Sequence, residues 1–200
     1  MVTIVAASAN KNKIKELLEI TKEFGLLVIS RDEAGIEDIE IEEDGKTFLE
    51  NSLKKAREIM KLSGKPAIAD DSGVEVDAIN GEPGVDSAIY AGPERDDQKN
   101  RDKLLAALSG VPLEKRTARF VSVISLVYPD GTELTTKGES EGHIIFEERG
   151  TGGFGYDSLF VPLGYNKTFA ELPAAEKNKI SHRARALHQL KIKLENQNVT

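Results

Sequence analysis

The chain has 200 residues, of which 39% are hydrophobic and 30% are charged, proportions that are typical of a soluble globular protein. Its formal net charge of −7 excludes a broad electrostatic attraction for nucleic acid. The absence of cysteine excludes disulfides, thiolate catalysis and cysteine-based zinc sites. No apolar run approaches the roughly 20 residues of a bilayer span, and the start lacks the basic lead of a signal peptide, so we expect a cytoplasmic protein.

The histidines do not indicate a zinc site. His143, His182 and His188 lack the H-E-x-x-H spacing of a zinc protease. We therefore expect any bound metal to be a hard cation such as Mg²⁺, held by carboxylates. No repeat, low-complexity tract or linker interrupts the chain, so residues 1–200 are expected to form a single domain.

The first elements of the chain predict an anion site. Residues 3–7 have the pattern of a buried strand, a polar loop follows, and Ile14, Leu17 and Leu18 begin an amphipathic helix. A strand, a short Ser/Asn loop and a helix leave free backbone N–H groups that attract an anion. Lys13 is unfavourable in the first turn of a helix unless it faces such an anion, for example a phosphate. The alternative is a solvated lysine beside an ordinary Ser or Asn cap.

A second helix is predicted after an acidic segment. Residues 26–30 have a strand pattern, and residues 36–44 mix apolar with acidic side chains that are expected to be mostly solvated. Residues 47–50 spell a capping box, which fixes the start of the helix. Its predicted apolar stripe consists of Leu49, Leu53, Ala56 and Met60. Lys55 is placed on another face of the helix.

Two adjacent aspartates follow a short apolar strand over residues 65–69, within the run Asp70-Asp71-Ser72-Gly73. Adjacent carboxylates repel unless a cation or hydrogen bonds compensate, and ligands bind at strand ends in open α/β sheets. The alternative is a plain turn before a second strand. The remaining pattern predicts strands over 74–79, 118–128, 132–136, 142–146 and 158–162, a helix over 96–108, and a last helix capped by Ser181.

Residues 150–157 read Gly-Thr-Gly-Gly-Phe-Gly-Tyr-Asp. They formally contain G-x-G-x-x-G, but a strand pattern follows where the dinucleotide fingerprint requires a helix, so that fingerprint is excluded. So many glycines indicate either a strand-connecting loop or a loop that wraps a ligand. In the second case Phe154 or Tyr156 offers a flat surface for a ring.

These features together predict a nucleotide site with a hard metal. Lys13, His182 and Arg183 fall near helix starts, where an anionic or acceptor partner is favourable, although solvated side chains are the alternative for the last two. Asp71 and an upstream glutamate suit Mg²⁺, and an aromatic ring of the glycine loop suits a base. The expected reaction is hydrolysis of a phosphate anhydride.

Five ordered motifs carry a resemblance to a known family. They are Ser8-x-Asn10-x-x-Lys13, residues 42–51, residues 69–73, residues 150–157, and Glu176-Lys177-x-x-Ile180-Ser181-His182-Arg183. On these motifs the chain resembles the inosine/xanthosine triphosphate pyrophosphatases. The resemblance implies hydrolysis of ITP, dITP and XTP to the monophosphate and pyrophosphate, which clears deaminated purines from nucleotide pools. It also implies Mg²⁺, a homodimer, and an α/β fold with an elongated mixed central sheet, flanking helices and two lobes around a nucleotide cleft.

The resemblance also implies roles for residues of this chain. Asp71 would be the general base for the attacking water and a metal ligand, with Glu42 as the second ligand, and Glu43 remains open for that place. Lys55 would assist Lys13 at the phosphates. The residues implied in substrate binding are Ser8, Asn10, Lys13, Lys55, Ser72, Phe154, Gly155, Tyr156, Asp157, Lys177, His182 and Arg183.

Two departures from the family pattern leave other functions open. The family usually has arginine where this chain has Ile89, and another base such as Arg95 is a candidate substitute. Ser158 stands where the family usually has proline, which is expected to loosen the loop slightly. One alternative is a nucleotide-binding module with reduced or lost catalysis, suggested by Ile89. The other is a related pyrophosphatase that prefers a different nucleotide.

Overall fold

The structure is a computed structural model that describes residues 2–36 and 39–197. Its elements alternate between strands and helices in the first half of the chain. In chain order they are β1 Thr3–Ala6, α1 Lys11–Glu23, β2 Leu27–Ile29, α2 Phe48–Ser63, β3 Ala67–Val76, α3 Asp97–Ala107, β4 Thr117–Val127, β5 Glu133–Ile144, β6 Phe160–Pro162, α4 Ala174–Ile180 and α5 His182–Gln197. Glu37 and Asp38 of the acidic segment lie outside the described residues.

A mixed six-stranded sheet has the order β2-β1-β3-β4-β5-β6, which confirms the predicted mixed α/β class. β1 is parallel to β2 and β3, with Val5 opposite both Ile29 and Ala67. Parallel neighbours require crossover connections, and α1 and α2 supply them. β5 and β6 are antiparallel, with His143 opposite Val161.

The chain divides into two compact units. The first consists of Met1–Asp71, Ser122–Gly138 and Arg183–Thr200, and the second of Ser72–Val121 and Glu139–His182. The boundaries fall inside β3, β4, β5 and the first turn of α5, so no linker in the sequence marks them. The single domain expected over residues 1–200 stays a prediction.

The first unit has a core on each face of its strands. Because side chains alternate along a strand, Ile68 of β3 packs on one face with α1 and α5, whereas Ala67 and Ala69 pack on the other face with α2. From the helices, Leu17 of α1 and Leu187 of α5 are buried on the first face. Strands that are covered on both faces account for the continuous apolar runs in the sequence.

Helix α2 begins at the predicted capping box, but its predicted stripe is wrong at one end. Thr47 accepts a hydrogen bond from the Glu50 amide, and the Glu50 side chain accepts one from the Thr47 amide. Leu49 is 43% exposed, whereas Ser52 and Lys55 are buried. The inward face therefore carries polar groups, which a count of apolar residues cannot find.

Strand β3 is longer than predicted, because it runs through Asp70-Asp71-Ser72-Gly73 without a turn. A side chain at Gly73 would be blocked, since a Cβ there would lie 2.3 Å from the Gly84 carbonyl oxygen and 2.4 Å from Ser87 Oγ. Ser87 Oγ also accepts a hydrogen bond from the Val74 amide at 2.9 Å. Packing of this kind holds residues with low strand propensity in a strand.

The second unit has its own core, in which Leu104 and Leu108 at the end of α3 pack with Val74, Phe120 and Phe160. A separate short helix, α4, lies before the last helix and was not among the predicted elements. Over residues 2–36 and 39–197, none of the helices is both long enough and apolar enough for a bilayer crossing.

Candidate active site

The loop before α1 is shaped by its own side chains. Asn10 Oδ1 accepts hydrogen bonds from the amides of Asn12 and Lys13 at 3.0 and 3.1 Å, as an N-cap does. Ser8 Oγ accepts one from the Asn10 amide at 3.1 Å. Ser8 and Asn10 therefore fix the start of the helix, and their predicted contact with substrate stays a prediction.

Asp70 is a buried carboxylate with several cationic or hydrogen-bonding partners in the first unit. Lys13 Nζ lies 3.3 Å and Arg183 Nη2 lies 2.9 Å from its Oδ2 atom, and Ser122 Oγ donates to Oδ1. Burial opposes ionisation, but Arg183, Lys13 and the Ser122 hydrogen bond outweigh it and hold the pKa of Asp70 well below its usual value. Asp70 therefore stays ionised more readily than an exposed aspartate, and it pairs with Lys13.

Arg183 lies inside the first unit with a side chain only 1% exposed. Its guanidinium pairs with Asp70 and with Glu16, which follows Lys13 by one turn of α1. Burial lowers the pKa of Arg183, but the two carboxylates outweigh that effect and raise it. The structure thus places Arg183 against carboxylates, and its predicted contact with the nucleotide stays a prediction.

Asp71 points to the opposite face of β3 and meets α2. Lys55 Nζ donates to Asp71 Oδ1, to Glu43 Oε2 and to the Asp70 carbonyl oxygen, each at 2.9 Å. Asn51 Nδ2 donates to Asp71 Oδ2 at 3.3 Å. Burial raises the pKa of Asp71 in spite of Lys55, so this carboxyl accepts a proton more readily than an exposed aspartate.

Glu43 and Asp71 fit the expected hard cation. The two carboxylates already converge on one cation, the Lys55 ammonium. Burial opposes ionisation of Glu43, but Lys55 and a hydrogen bond with Asp71 lower its pKa to about 2. Among the described residues no group of three acids or histidines is arranged to hold a metal. Of the two open candidates, Glu43 shares the Lys55 ammonium with Asp71, and Glu42 stays a prediction.

In the second unit, Asp157 and Lys177 form a buried pair beneath the glycine loop. Lys177 Nζ donates to Asp157 Oδ2 at 2.6 Å, and the Phe154 amide donates to the same oxygen at 2.9 Å. The Lys177 ammonium also lies 5.1 Å from the centre of the Phe154 ring and 5.6 Å from that of Phe169, within the range of a cation–π contact. The pair therefore holds the backbone and one face of Phe154.

The two aromatic candidates of the loop have different environments. Tyr156 is buried, and its hydroxyl donates to the Ser87 carbonyl oxygen at 2.8 Å. Phe154 is only half-buried. Between the two open candidates, the exposure of Phe154 favours it as the flat surface for a ring, and Tyr156 anchors the loop.

His182 belongs to the second unit and lies flat against Phe120. The ring centres are 4.7 Å apart with an interplanar angle of 12°. Ser72, also predicted to bind substrate, is half-buried on β3 next to Asp71. His182 and Arg183 are thus neighbours in sequence that the fold assigns to different units.

Sequence reasoning missed several residues that support the predicted ones. Asn51 precedes Lys55 by four residues on α2, and Glu16 follows Lys13 by three on α1, spacings that place each pair on one helix face. That spacing is the signal in the sequence that could have identified Asn51 and Glu16. For Asp70 the signal was its place in the motif, but its partner Arg183 is 113 residues away.

Ile89 and Ser158 are the two residues that depart from the family pattern. Ile89 ends a short 3-10 helix, Gly84–Ile89, and is 42% exposed. The candidate substitute Arg95 is exposed as well. Ser158 Oγ donates to Glu148 Oε2 at 2.9 Å, a hydrogen bond that proline does not form.

Comparison with known proteins identifies relatives along nearly the whole chain. A model of the Ham1 family matches residues 4–193. The chain is 53% identical over 193 residues to a dITP/XTP pyrophosphatase of Haemophilus influenzae, covering 96% of this chain and 98% of the relative. It is 50% identical over 197 residues to one of Clostridium perfringens, covering 96% of each. The structure of the Staphylococcus aureus Ham1 protein is similar with a TM-score of 0.85 and 41% identity, covering 98% of this chain and 99% of that one. These relatives confirm the resemblance carried by the five motifs, and the chain belongs to the Ham1 family.

Proposed function

We propose that the protein hydrolyses ITP, dITP and XTP to the nucleoside monophosphate and pyrophosphate. The relatives named dITP/XTP pyrophosphatase support this substrate class, because they match over almost their full length. The geometric observation that best supports it is that two adjacent aspartates have different surroundings. The pKa of Asp70 is lowered beside Lys13, whereas burial raises the pKa of Asp71, so Asp71 accepts a proton more readily.

The chemical step follows from the surroundings of Asp71. Its carboxylate takes a proton from water, and the water oxygen attacks the α-phosphorus of the substrate. The bond between that phosphorus and the bridging oxygen of the α–β anhydride breaks, and pyrophosphate leaves. Lys55 and Asn51 fix the direction of the Asp71 carboxylate.

We assign the phosphates to residues of the first unit. Lys13, held by Asp70, supplies a directed positive charge to an anionic chain of phosphates. Glu43 and Asp71 are the residues that would hold Mg²⁺, with Glu42 as the alternative to Glu43. When bound, Mg²⁺ neutralises phosphate charge that develops as the anhydride breaks.

We assign base recognition to the glycine loop and its neighbours. Phe154 provides a face for the purine, and the glycines beside it permit close approach to the backbone. Hypoxanthine and xanthine carry a 6-keto acceptor where adenine carries an amino donor. Donors such as Lys177, His182 and loop N–H groups favour that acceptor and leave adenine mismatched.

We further propose a homodimer and a cytoplasmic location. The homodimer is supported by the family resemblance of the motifs. The location is supported by the substrate class, since deaminated nucleoside triphosphates arise in the nucleotide pools of the cytoplasm. Sedimentation of the full chain tests the first proposal, and fractionation of expressing cells tests the second.

A substrate panel is the experiment that tests the function. With Mg²⁺ we expect kcat/KM for pyrophosphate release from ITP, dITP and XTP to exceed that for ATP by about 100-fold, because a site built on hydrogen bonds rejects mismatched bases. Addition of EDTA is expected to stop the reaction. GTP tests whether the 2-amino group of guanine is rejected as well.

The same panel separates the alternatives. Exposed Ile89 at the position of the usual arginine is the observation that favours a module without catalysis. That alternative predicts that calorimetry detects ITP binding while no pyrophosphate is released. A different best substrate would instead identify a pyrophosphatase with another nucleotide preference.

Removal of the stacking ring is a second prediction. Phe154→Ala is expected to weaken ITP binding roughly tenfold or more, since stacking on an aromatic ring contributes about 1–3 kcal/mol per base. Tyr156→Phe keeps the buried ring and loses only the hydrogen bond to Ser87, so it is expected to weaken binding by less. Calorimetry with ITP and Mg²⁺ measures both. Equal affinity in the parent and both variants would remove the stacking role.

A further inference from the structure

The backbone of Gly155 is bound on both sides by one helix. The Gly155 amide donates to Asp97 Oδ2 at 2.9 Å, and the Gly155 carbonyl oxygen accepts from Arg101 Nη1 at 2.8 Å. Asp97 and Arg101 are four residues apart on α3 and therefore share a helix face. Gly155 lies between Phe154 and Tyr156, so α3 binds the loop backbone directly beside the half-buried Phe154 ring.

Arg101 is itself fixed by a network of hydrogen bonds. Its Nε lies 2.9 Å from Glu148 Oε2, and its Nη2 donates to Gln98 Oε1 at 2.7 Å. Gln98 Nε2 donates back to the second oxygen of Glu148 at 2.7 Å, and Ser158 Oγ donates to Glu148 at 2.9 Å. The Arg101 side chain is 15% exposed, whereas Gln98 and Glu148 are exposed, so Arg101 is the most buried member of a network at the surface. A planar guanidinium that donates from both Nη nitrogens and forms an ion pair with Glu148 presents a defined direction to Gly155.

Packing alone does not fix the Gly155 backbone. A Cβ at this position would meet no atom within 4 Å, so the space beside the Cα is open, and φ is +60°. Hydrogen bonds hold the two peptide groups of Gly155: Asp97 and Arg101 supply one on each side, and the Asp157 amide donates to the Phe154 carbonyl oxygen at 3.2 Å. Tyr156, the next residue, is anchored through its hydroxyl to Ser87. The Phe154 ring has Lys177 against one face and is attached to this backbone, so both bear on its direction.

We propose that Asp97 and Arg101 of α3 are positioning residues that act on the substrate through Phe154. The two side chains hold the loop backbone so that the Phe154 ring is presented to the purine, and they determine how tightly a purine nucleotide binds. Ser158 contributes through Glu148, a hydrogen bond specific to the serine at this position. This inference rests on the stacking role proposed for Phe154.

A double-mutant cycle tests the inference. Arg101→Ala is expected to raise KM for ITP and the calorimetric Kd about fivefold, with kcat changed less than about twofold, because uniform binding is lost and the chemistry is untouched. Arg101→Lys retains a donor for the Gly155 carbonyl and is expected to recover part of the loss. In the Phe154→Ala background, Arg101→Ala is expected to have no more than about a twofold effect, since coupled residues are not additive.

Arg119→Ala is the matched control. Arg119 pairs with Glu75 and Asp77 at 3.2 and 2.6 Å within the same unit, so its removal breaks a comparable carboxylate network. We expect it to leave KM unchanged, and thermal unfolding of each variant shows whether it is folded. Two outcomes would overturn this inference without touching the proposed function: unchanged KM and Kd in Arg101→Ala, or an effect of Arg101→Ala that persists fully in the Phe154→Ala background. If Phe154→Ala bound ITP with the parental affinity, the stacking role would be overturned as well. Binding of ITP can be measured whether or not the protein hydrolyses it.

Discussion

Replacing Asp71 with asparagine is expected to lower the rate of pyrophosphate release from ITP by about 10³-fold, the usual scale for loss of a general base. Asparagine has the same shape but cannot take a proton from water. The Lys55 ammonium retains Glu43 and the Asp70 carbonyl oxygen as partners, so the site is expected to stay assembled. Turnover at saturating ITP and Mg²⁺ measures the effect, and thermal unfolding checks the fold.

Asp44→Asn is the control for that experiment. Asp44 belongs to the same acidic segment and pairs with Lys54 at 2.6 Å, but it is exposed. Neutralising it removes one negative charge without touching Asp71, so kcat is expected to stay near the parental value. If Asp71→Asn retained more than about a tenth of the parental rate, Asp71 would not be the general base.

Replacing Asp70 with asparagine is expected to lower the free energy of unfolding by about 3 kcal/mol at pH 7, because it leaves a buried guanidinium with one carboxylate fewer. Arg183 would keep Glu16, and Lys13 would lose its buried anion. Urea unfolding of the parent and the variant measures the difference. Asp71→Asn is the neighbouring control, since burial raises the pKa of Asp71 and neutralising that carboxyl is expected to cost far less stability.

The stability difference caused by Asp70→Asn should depend on pH in a defined direction. The pKa of Asp70 is held well below its usual value, so its charge stabilises the fold above the unfolded pKa of about 3.9. That contribution is lost as the pH falls through the folded pKa. The difference is therefore expected to be constant between about pH 5 and 7 and to shrink in stronger acid. A difference that stays below about 1 kcal/mol at pH 7 would contradict the assigned role of Asp70.

Local signals in the sequence were sufficient for most helices and strands. The capping box at Thr47 fixed the start of α2, and the β-branched run predicted β4 within one residue at each end. The continuity of β3 through Asp70-Asp71-Ser72-Gly73 was not predictable locally. Asp, Ser and Gly have low strand propensity, and only the close packing of Gly73 against Gly84 and Ser87 makes a strand the better solution there.

Contacts within the candidate site could be predicted from the sequence only where both residues of a pair lie in one motif. Lys177 and Asp157 came from two motifs, and nothing in either shows that they form a buried pair. Glu16 and Arg183 are 167 residues apart, so no spacing rule connects them. The apolar count assigns Lys55 to another face of α2 than the stripe, because such a count does not expect an ammonium to be buried among carboxylates.

The two compact units are interleaved along the chain, and this affects how the gene can recombine. The first is assembled from three separate stretches of the chain and the second from two, with boundaries inside strands and at the start of a helix. Neither unit corresponds to a contiguous stretch of gene, so recombination at a single point cannot transfer one without cutting the other. The relatives from Haemophilus influenzae and Clostridium perfringens each match over 96% of the chain, a span that includes parts of both units.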